Sequence, residues 1–494
     1  MPTALSLREL EGALQQAGLL IGLRGPMPPS VAAVTDDSRQ VKAGMLFVAV
    51  RGHDRDGHDY LAAAEQAGAT VALVEDAHRT ALPVLVVRDG RRAAAVAASV
   101  AFRYPATGMR LLAVTGTNGK TTTVGMLRHL FDRPASPAVS IGTLGVLVGS
   151  KGEALPGGGG LTTPGPVELQ RLLRAVADLG ARSVAMEVSS HSLEQRRVDG
   201  LSFQAAVFTN ITRDHLDYHG SMEAYVAAKF RLASYLSTDG TAVVNADDPV
   251  WRDLPTAGRR LTFGSDSRAD VRADRITPTA RGSAFELMTP GAPGVPVELP
   301  LLGAFNVSNA LGAAAAAWAM GMAPGDIAAR LTSMPQVPGR LERILERPVV
   351  LRDYAHTPDA LERALDAVRP FVERGGRLLV VFGCGGDRDR GKRPLMGAIA
   401  EQKGDVAIVT SDNPRTEDPE RILDDIERGM QRPHERIEDR RQAIARALDV
   451  ARPNDVIVLA GKGHETYQIR GTTSYPFDER AIVQELAAPA GRSS

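Results

Sequence analysis

The run LLAVTGTNGKTTT at positions 111–123 constrains the fold more than any other stretch of the sequence. Its apolar first half is typical of a buried parallel strand, and a glycine-containing turn leads into a helix that opens with Lys120 and Thr121. Glycines let backbone N–H groups approach an anion, and the helix N-terminus adds about half a positive charge. Lys120 supplies a full charge, and Thr121 offers a hydroxyl to a Mg²⁺ ion. The run predicts a phosphate-binding loop; the alternative is an ordinary strand-turn-helix with a surface lysine.

Chain length sets the expected number of domains. With 494 residues the chain is too long for one hydrophobic core, and about 150 residues per domain predicts about three domains. The expected domains are 1–108, 109–338 and 339–494. Helical and strand patterns alternate in each of them, which predicts α/β architecture throughout.

Composition narrows the partners that the chain is expected to bind. Lysine plus arginine number 58, as do aspartate plus glutamate, so no global charge attracts nucleic acid or an anionic membrane. The apolar stretch 311–322 is shorter than the roughly 18 to 20 residues of a membrane span, and we expect a buried helix there. The single cysteine, Cys384, excludes an internal disulfide, and the N-terminus lacks a signal-peptide pattern. We expect a cytoplasmic protein that binds neither nucleic acid nor membrane.

The first predicted domain carries its polar residues in two segments, TDDSR at 35–39 and RGHDRDGH at 51–58. The predicted strands of this domain are 45–50, 70–74 and 84–87. Its predicted helices are 5–17, 60–67 and 91–102. Taken alone, both segments are turns.

In the central region, the predicted strand 183–188 ends in Glu187. A carboxylate in a buried strand is expensive unless a cation or a metal ion faces it. Because parallel strands of one sheet end at the same edge, a Mg²⁺ ion shared with Thr121 is the predicted partner. A buried salt bridge is the alternative.

The next predicted strand, 205–209, opens into NITRDHLDYHG, and its His215 is a candidate metal ligand or acid/base group. The helix after Ser221 presents Tyr225 and Lys229 one turn apart; by spacing alone Lys229 is an ordinary helix lysine. Further on, Asn306 and Asn309 are also one turn apart, where an amide can either read a base or cap a helix.

The last region predicts a parallel sheet, with strands near Val349 and at 378–382, 406–409 and 456–459. Each strand ends in a polar or glycine-rich loop. The four loops are DYAHTP at 353–358, GCGGDRD at 383–389, SDNPR at 411–415 and GKGHE at 461–465. Because the carboxyl ends of parallel strands meet at one edge, these loops are expected to line one crevice.

The phosphate loop departs from the general P-loop pattern, because Val114 stands where that pattern has its first glycine. The shorter form TGTNGKT at 115–121 resembles the nucleotide loop of the Mur ligase superfamily. The segments TTP at 162–164, EVSSH at 187–191, HLDYH at 215–219 and DNPR at 412–415 extend that resemblance over essentially the whole chain. It implies a central P-loop-type doubly wound sheet, a C-terminal dinucleotide-fold-like sheet and a small N-terminal α/β domain.

The resemblance also implies an activity. It is the ATP-dependent ligation of an amino acid to the D-glutamate of UDP-N-acetylmuramoyl-L-alanyl-D-glutamate in peptidoglycan synthesis, through an acyl phosphate. The DNPR segment implies meso-diaminopimelate as the added amino acid, because an arginine reads its second carboxylate through two parallel N–H bonds. L-Lysine or L-ornithine is the alternative substrate, and a folylpolyglutamate-synthase-like ligase or a non-catalytic nucleotide-binding module is the alternative function. We expect a monomer.

The resemblance further assigns roles by position. Two Mg²⁺ ions are implied, with Thr121, Glu187, His215 and a CO₂-derived carbamate on Lys229 as their ligands. The implied catalytic residues are Lys120, Glu187, His215, Lys229, Asp353 and His356. ATP is expected to contact Gly116, Thr117, Asn118, Gly119, Lys120, Thr121, Thr122, Asn306, Asn309 and Arg340. The UDP-sugar dipeptide is expected at Ser38, His53, Asp54, Arg55, Thr162, Thr163, Ser189, Gln195 and Arg197, although Arg197 alone reads as a solvated arginine. Diaminopimelate is expected at Arg388, Asp412, Asn413, Pro414, Arg415, Gly461 and Glu465.

Overall fold

The fold is that of a computed structural model, which describes residues 4–52, 55–158, 160–256, 258–279 and 281–488. The chain forms two compact units. The first comprises Met1–Arg272, Met288–Pro293 and Asn309–Ile327, and the second comprises Ala273–Leu287, Gly294–Ser308 and Ala328–Ser494. The predicted domain 1–108 and most of the predicted domain 109–338 thus share one unit, and the three-domain boundaries stay a prediction.

The first hundred residues form a five-stranded sheet flanked by helices. In chain order the elements are β1 Leu5–Ser6, α1 Leu7–Gln16, β2 Leu20–Arg24, β3 Ser30–Val31, β4 Val34–Thr35, β5 Leu46–Val48, α2 Leu61–Gln66, β6 Val71–Val74, β7 Val84–Val87 and α3 Gly90–Ala101. The strand order is β2-β7-β6-β5-β4, and only β2 is antiparallel to its neighbour. The predicted strands and helices are confirmed with small shifts at their ends, whereas β1, β2, β3 and β4 were not predicted.

The central region of the first unit continues with a larger sheet. Its elements are β8 Arg110–Thr115, α4 Lys120–Phe131, β9 Ala138–Gly142, β10 Gly145–Val148, β11 Glu153–Leu155, α5 Pro166–Asp178, β12 Ser183–Glu187, α6 Ser190–Glu194, β13 Phe203–Phe208, α7 Leu216–His219, α8 Met222–Phe230, β14 Leu236–Asn245, β15 Arg259–Gly264 and β16 Val271–Thr279. The order β11-β10-β9-β12-β8-β13-β14-β15-β16 places β8 between β12 and β13, and all three are parallel. The carboxyl ends of β8, β12 and β13 therefore meet at one edge.

The apolar runs of these strands explain why the sheet is buried. Leu111, Ala113, Val184, Ala206 and Phe208 belong to one core cluster and are almost fully buried. Strands covered on both faces read as continuous apolar runs, which is the pattern at 111–114 and 183–188. In the first unit, the predicted buried helix is confirmed, because the alanines of 313–317 are fully buried.

The second unit has its own parallel sheet. From residue 282 onward the elements of the chain are β17 Gly282–Met288, β18 Val295–Leu299, α9 Ala304–Ala319, α10 Pro324–Thr332, β19 Glu342–Glu346, β20 Val349–Asp353, α11 Pro358–Val368, β21 Leu378–Phe382, α12 Lys392–Lys403, β22 Val406–Val409, α13 Pro419–Glu427, β23 Glu435–Arg436, α14 Arg440–Val450, β24 Val456–Ala460, β25 Tyr467–Arg470, β26 Thr473–Pro476 and α15 Glu479–Ala487. The order is β19-β20-β24-β21-β22-β23, with only β19 antiparallel. The four predicted strands are confirmed. The strands β17 and β18 pair as an antiparallel hairpin.

None of the helices among the described residues combines the length and the apolar character that a membrane span needs.

Trp251 tests the packing of the first unit. It is fully buried, and its ring lies 5.3 Å from the Phe208 ring and 6.0 Å from the Phe230 ring, between centroids. We expect Trp251→Ala to lower the free energy of unfolding by about 3–5 kcal/mol, because it leaves a cavity in the core. Circular dichroism during chemical denaturation measures this loss. Leu179→Ala, at a half-exposed position, is the control and should change little.

Candidate active site

Two glycines allow the loop between β8 and α4 to pack against its neighbours. Gly116 has φ +145°, and a Cβ there would lie 1.9 Å from the Thr209 hydroxyl oxygen. Gly119 has φ +87°, and a Cβ there would lie 2.2 Å from Oδ1 of Asn309. Both positions need glycine, because the left-handed backbone and the close approach each exclude a side chain. The contact also places Asn309 beside the loop, as its predicted ATP role requires.

The segment after β13 holds the loop in shape. Thr117 N donates to Asn210 O at 2.7 Å, and Asn118 N donates to Asn210 Oδ1 at 3.0 Å. The Thr209 hydroxyl donates to Asn118 O at 2.7 Å, and the Thr117 hydroxyl donates to Thr212 O at 3.2 Å. Sequence reasoning missed this bracing. The only signal for these contacts is that 209–212 lie at the end of a predicted strand.

Lys120 and Lys229 share one acceptor within the loop. Lys120 Nζ donates to Gly116 O at 3.0 Å and to Thr117 O at 2.8 Å, and Lys229 Nζ donates to the same Gly116 O at 2.8 Å. Lys229 is 1% exposed and lies 4.6 Å from the centre of the Tyr225 ring. Burial, together with the neighbouring Lys120 charge, holds the pKa of Lys229 well below its usual range. Lys229 is therefore a buried amine whose charged form is disfavoured, which sequence spacing alone did not reveal.

An imidazole and tyrosine cluster adjoins the loop. His215 has φ +53°, and its ring centroid lies 4.6 Å from that of His191, which in turn stacks 4.2 Å from Tyr218. Burial lowers the pKa of His191 to about 4, with His215 and His219 adding to the effect. Burial also lowers the pKa of His215, and the charges of Lys120 and Lys229 lower it further. These rings are neutral near pH 7, the form in which an imidazole binds a metal.

Glu187 is the acid best placed for a metal ion near the phosphate loop. It ends β12 opposite Val114 of β8, at the edge from which the loop departs. The side chain is 1% exposed, and its oxygens accept from Thr143 N at 2.9 Å and Thr143 Oγ1 at 3.2 Å. Each carboxylate oxygen keeps a further acceptor position. The cation that a buried salt bridge would require does not lie within ion-pair distance in the part of the chain that the structure describes.

The donor chemistry fits one Mg²⁺ ion. Thr121 and Glu187 offer oxygen atoms, and Mg²⁺ usually takes one or two protein ligands together with phosphate and water oxygens. Lys229 cannot ligate a cation while it is an ammonium, so the second predicted ion fits only if that lysine carries a carbamate. In the described ranges, no three His, Cys, Asp or Glu side chains cluster as a metal site.

Several residues predicted for the UDP-sugar dipeptide form one hydrogen-bonded chain. Arg197 donates to Thr163 O at 2.8 Å and through two nitrogens to Gln195 Oε1 at 2.6 and 3.1 Å. Gln195 Nε2 then donates to the Tyr218 hydroxyl at 3.1 Å. Arg197 is thus positioned by protein contacts and is not a freely solvated arginine. Ser189 caps α6 by accepting from Ser192 N at 3.1 Å.

The other residues of this set are less connected. Thr162 Oγ1 accepts from Thr143 Oγ1 at 3.3 Å, Ser38 opens a single helical turn, and Arg55 is exposed. His53 and Asp54 lie outside the described residues. Sequence reasoning did not single out Asp36, an exposed residue whose carboxyl interacts electrostatically with Arg197. Its only signal is its place in the polar segment 35–39.

In the second unit, the loops after β21, β22 and β24 bring the predicted diaminopimelate residues together. Arg415 follows Pro414 in the chain and has φ +51°. Its Nη1 donates to Gly386 O at 2.9 Å. Arg388 is exposed, and its Nη1 donates to Asp387 O at 3.0 Å. Gly461 has φ +114°, and a Cβ there would lie 3.1 Å from Oδ2 of Asp412.

Asn413, Glu465 and Lys462 complete this group. Asn413 Nδ2 donates to Glu465 Oε2 at 2.9 Å, and Lys462 Nζ reaches the same oxygen at 3.1 Å. Lys462 was missed by sequence reasoning. The only signal for it is a lysine between two glycines directly after a buried strand.

The remaining predicted residues have mainly local contacts. Asp353 is buried, which raises its pKa, and its oxygens accept from Leu341 N at 2.6 Å and Ala355 N at 2.8 Å. The exposed His356 bonds through Nδ1 to Tyr354 O at 2.8 Å, and Asn306 Nδ2 donates to Leu302 O at 2.8 Å. The Arg340 guanidinium lies 5.0 Å from the Tyr354 ring centre. Their catalytic and ATP-binding roles stay predictions.

The glycine loop with its paired lysines, set between parallel strands, defines an α/β protein that binds nucleotide phosphates. Sequence comparison narrows this class. Residues 30–104 match the catalytic domain of the Mur ligase family, 114–317 match the Mur ligase middle domain, and 339–463 match the Mur ligase glutamate ligase domain.

Similar proteins extend over nearly the whole chain. It is 44% identical to a UDP-N-acetylmuramoyl-L-alanyl-D-glutamate--2,6-diaminopimelate ligase of Geobacillus kaustophilus, across 94% of this chain and 96% of that protein. It is 42% identical to the ligase of the same name from Thermosynechococcus vestitus, across 99% and 100%. A solved structure of a ligase of that name is 34% identical, with a TM-score of 0.67 and coverage of 98% and 99%. The chain belongs to the Mur ligase family.

Lys120 provides a direct test of the phosphate loop. We expect Lys120→Ala to lower kcat on the order of 100-fold or more, because it removes the cation that neutralises transferring phosphate oxygens. The fold should be unchanged, since no apolar contact is lost. ADP release measures turnover, and Lys151→Ala, at an exposed lysine of the same unit, is the control. Near wild-type turnover in the Lys120 variant would exclude this loop as the ATP site.

Proposed function

We propose that this chain is an ATP-dependent ligase that adds meso-diaminopimelate to the D-glutamate of UDP-N-acetylmuramoyl-L-alanyl-D-glutamate. The observation that carries the proposal is the group at the strand ends of the second unit. There Arg415 lies beside Asn413, which is buried together with Asp412 and donates to Glu465. That group suits an amino-acid end with both an ammonium and a carboxylate. The names of the similar proteins support the same substrates.

In the proposed reaction, ATP phosphorylates the γ-carboxylate of D-glutamate. The amine of diaminopimelate then attacks the acyl phosphate, forming the amide and releasing phosphate. Lys120 neutralises charge on the transferring phosphoryl group, and backbone N–H groups of 116–121 orient it. The chain from Thr163 through Arg197 to Gln195 holds the dipeptide. Mg²⁺ bound by Thr121 and Glu187 would supply further charge neutralisation.

Lys229 is proposed to carry a carbamate formed from CO₂. Only a neutral amine reacts with CO₂, and burial beside Lys120 favours the neutral form of Lys229 by lowering its pKa. The product is a carboxylate-like group next to Gly116, which converts repulsion from Lys120 into attraction. With neutral His215 it would offer ligands for a second Mg²⁺ ion.

We expect Lys229→Ala to be inactive, and we expect acetate or formate to restore part of the activity by replacing the lost carboxylate. ADP release with and without the added anion measures this rescue. A ¹³C NMR signal from ¹³C-bicarbonate should appear in the wild type and be absent from the variant. Lys42→Ala, at an exposed lysine, is the control. An unmodified ammonium at Lys229 under bicarbonate would contradict the carbamate.

The specificity of the ligase rests on Arg415. Diaminopimelate differs from lysine by a second carboxylate at its far end, and a guanidinium can bind a carboxylate through two N–H groups. Among the described residues, the Arg415 guanidinium bonds only backbone oxygens, at Gly386 and Asn413, and no acidic side chain pairs with it.

For Arg415→Ala we expect a loss of about 2–5 kcal/mol in transition-state stabilisation with diaminopimelate, or roughly 30-fold to several thousand-fold in kcat/KM. In the variant, the desolvated distal carboxylate of diaminopimelate loses its guanidinium partner, whereas lysine and ornithine lack that carboxylate. ATP and the UDP-dipeptide should keep their KM values. The measurement is kcat/KM for meso-diaminopimelate, L-lysine and L-ornithine.

Arg421→Ala, at an arginine with an 84% exposed side chain, is the matched control. Equal losses for all three amino acids, or a wild-type preference for lysine or ornithine, would contradict the role of Arg415 and leave the ligase assignment standing. Turnover of this protein with a folate in place of the UDP-dipeptide would support the folylpolyglutamate-synthase-like alternative. A cytoplasmic location and a monomeric state remain part of the proposal.

A further inference from the structure

Lys462 is a fully buried cation to which the proposed reaction gives no role. It follows β24 between Gly461 and Gly463, and its side chain has no exposed surface. Its ammonium lies 5.8 Å from the Tyr467 ring centre and 5.9 Å from the Phe477 ring centre. A lysine buried at this depth is costly unless its charge is compensated.

The compensation comes from residues proposed to bind diaminopimelate. Lys462 Nζ lies 3.1 Å from Glu465 Oε2, 3.2 Å from Asn413 Oδ1 and 3.6 Å from Asp412 Oδ1. Asp412 Oδ1 is buried and accepts no hydrogen bond from the residues that the structure describes. Lys462 is therefore the cation that both carboxylates share. We call these four residues the Lys462 cluster.

Lys462 also fixes the orientation of Asn413. The Asn413 Oδ1 atom accepts from Lys462 Nζ and from Ile469 N at 2.9 Å, while Nδ2 donates to Glu465 Oε2 at 2.9 Å. An amide with its oxygen and nitrogen committed in this way cannot flip without losing all three bonds. The protein's own contacts thus set the orientation of Asn413 in the cluster.

The charges of the site can be counted. Asp412 and Glu465 are two negative charges, Lys462 is one positive charge, and Arg415 beside Asn413 is a second. These four groups sum to zero. Arg388 adds a positive charge outside the Lys462 cluster, but it is exposed and its charge is screened by water. The far end of diaminopimelate, one ammonium and one carboxylate, also sums to zero, so the occupied site remains neutral. The far end of lysine carries only an ammonium and would leave one uncompensated positive charge.

We propose that Lys462 is a specificity-determining positioning residue, the built-in cation that makes the site accept an amino-acid end with both charges and reject one with an ammonium alone. This inference rests on the proposed function. It differs from the role of Arg415, which contacts the distal carboxylate directly. Lys462 acts through Asp412, Asn413 and Glu465 and sets the charge that they present.

The test is a double-mutant cycle of Lys462→Met and Glu465→Gln, with kcat/KM measured for meso-diaminopimelate and L-lysine. In Lys462→Met the site becomes negative, so the preference for diaminopimelate over lysine should fall by about tenfold or more. In Glu465→Gln the site becomes positive, and the preference should rise. In the double variant the site is neutral again, and the preference should return to within about threefold of wild type.

These ratios separate a charge role from a structural one. A misfolded site would lower kcat/KM equally for both amino acids. The charge count instead predicts opposite changes of the kcat/KM ratio in the two single variants and recovery of that ratio in the double variant. The KM values for ATP and the UDP-dipeptide should stay constant. Lys403→Met removes a lysine paired with Asp366 and Glu362 elsewhere in the unit and should leave the ratio unchanged.

If Lys462→Met does not fold, the double variant and Glu465→Gln still decide, because neither leaves a carboxylate pair without a cation. An unchanged ratio in Lys462→Met, a lowered or unchanged ratio in Glu465→Gln, or a double variant no closer to wild type than Lys462→Met would each overturn the inference. Failure of the wild type to use diaminopimelate at all would instead overturn the proposed function.

Discussion

The carbonyl oxygen of Gly116 accepts hydrogen bonds from two lysines, and the organisation of the first unit follows from that contact. A backbone oxygen can serve Lys120 and Lys229 together only if the loop turns through a left-handed glycine. Because Gly116 has no side chain, the end of β13 can approach the turn within contact distance. Parallel pairing of β8 with β12 and β13 provides that approach and also brings Glu187 to the same edge.

Much of this arrangement was predictable because it is local. Apolar runs of four to six residues that end in glycine or polar residues predicted β8, β12 and β13 of the central sheet and β20, β21, β22 and β24 of the second unit's sheet. The order strand, glycine turn, Lys-Thr predicted the loop. The edge strand β2 was not predicted. Its residues Ile21 and Leu23 are exposed and so give no alternation of buried apolar and exposed polar residues.

The site details that escaped prediction depend on pairs of residues far apart in sequence. Asn210 supports Asn118 across 92 residues, and Lys462 meets Asn413 across 49. Neither partner has a sequence pattern that marks its burial, because a lone polar residue after a strand reads as a turn. Only the strand order decides which strand-end loops become neighbours.

The two buried lysines show how the same side chain is used in opposite ways. Lys462 faces two carboxylates, so its charge is compensated inside the protein and serves to set the charge of its surroundings. Lys229 faces a backbone carbonyl and a second lysine, so its charge is opposed, and burial lowers its pKa. An opposed amine gains stability by reacting to become an anion, whereas a compensated one would lose it. The residues around each lysine therefore determine why one is proposed to be modified and the other to remain a cation.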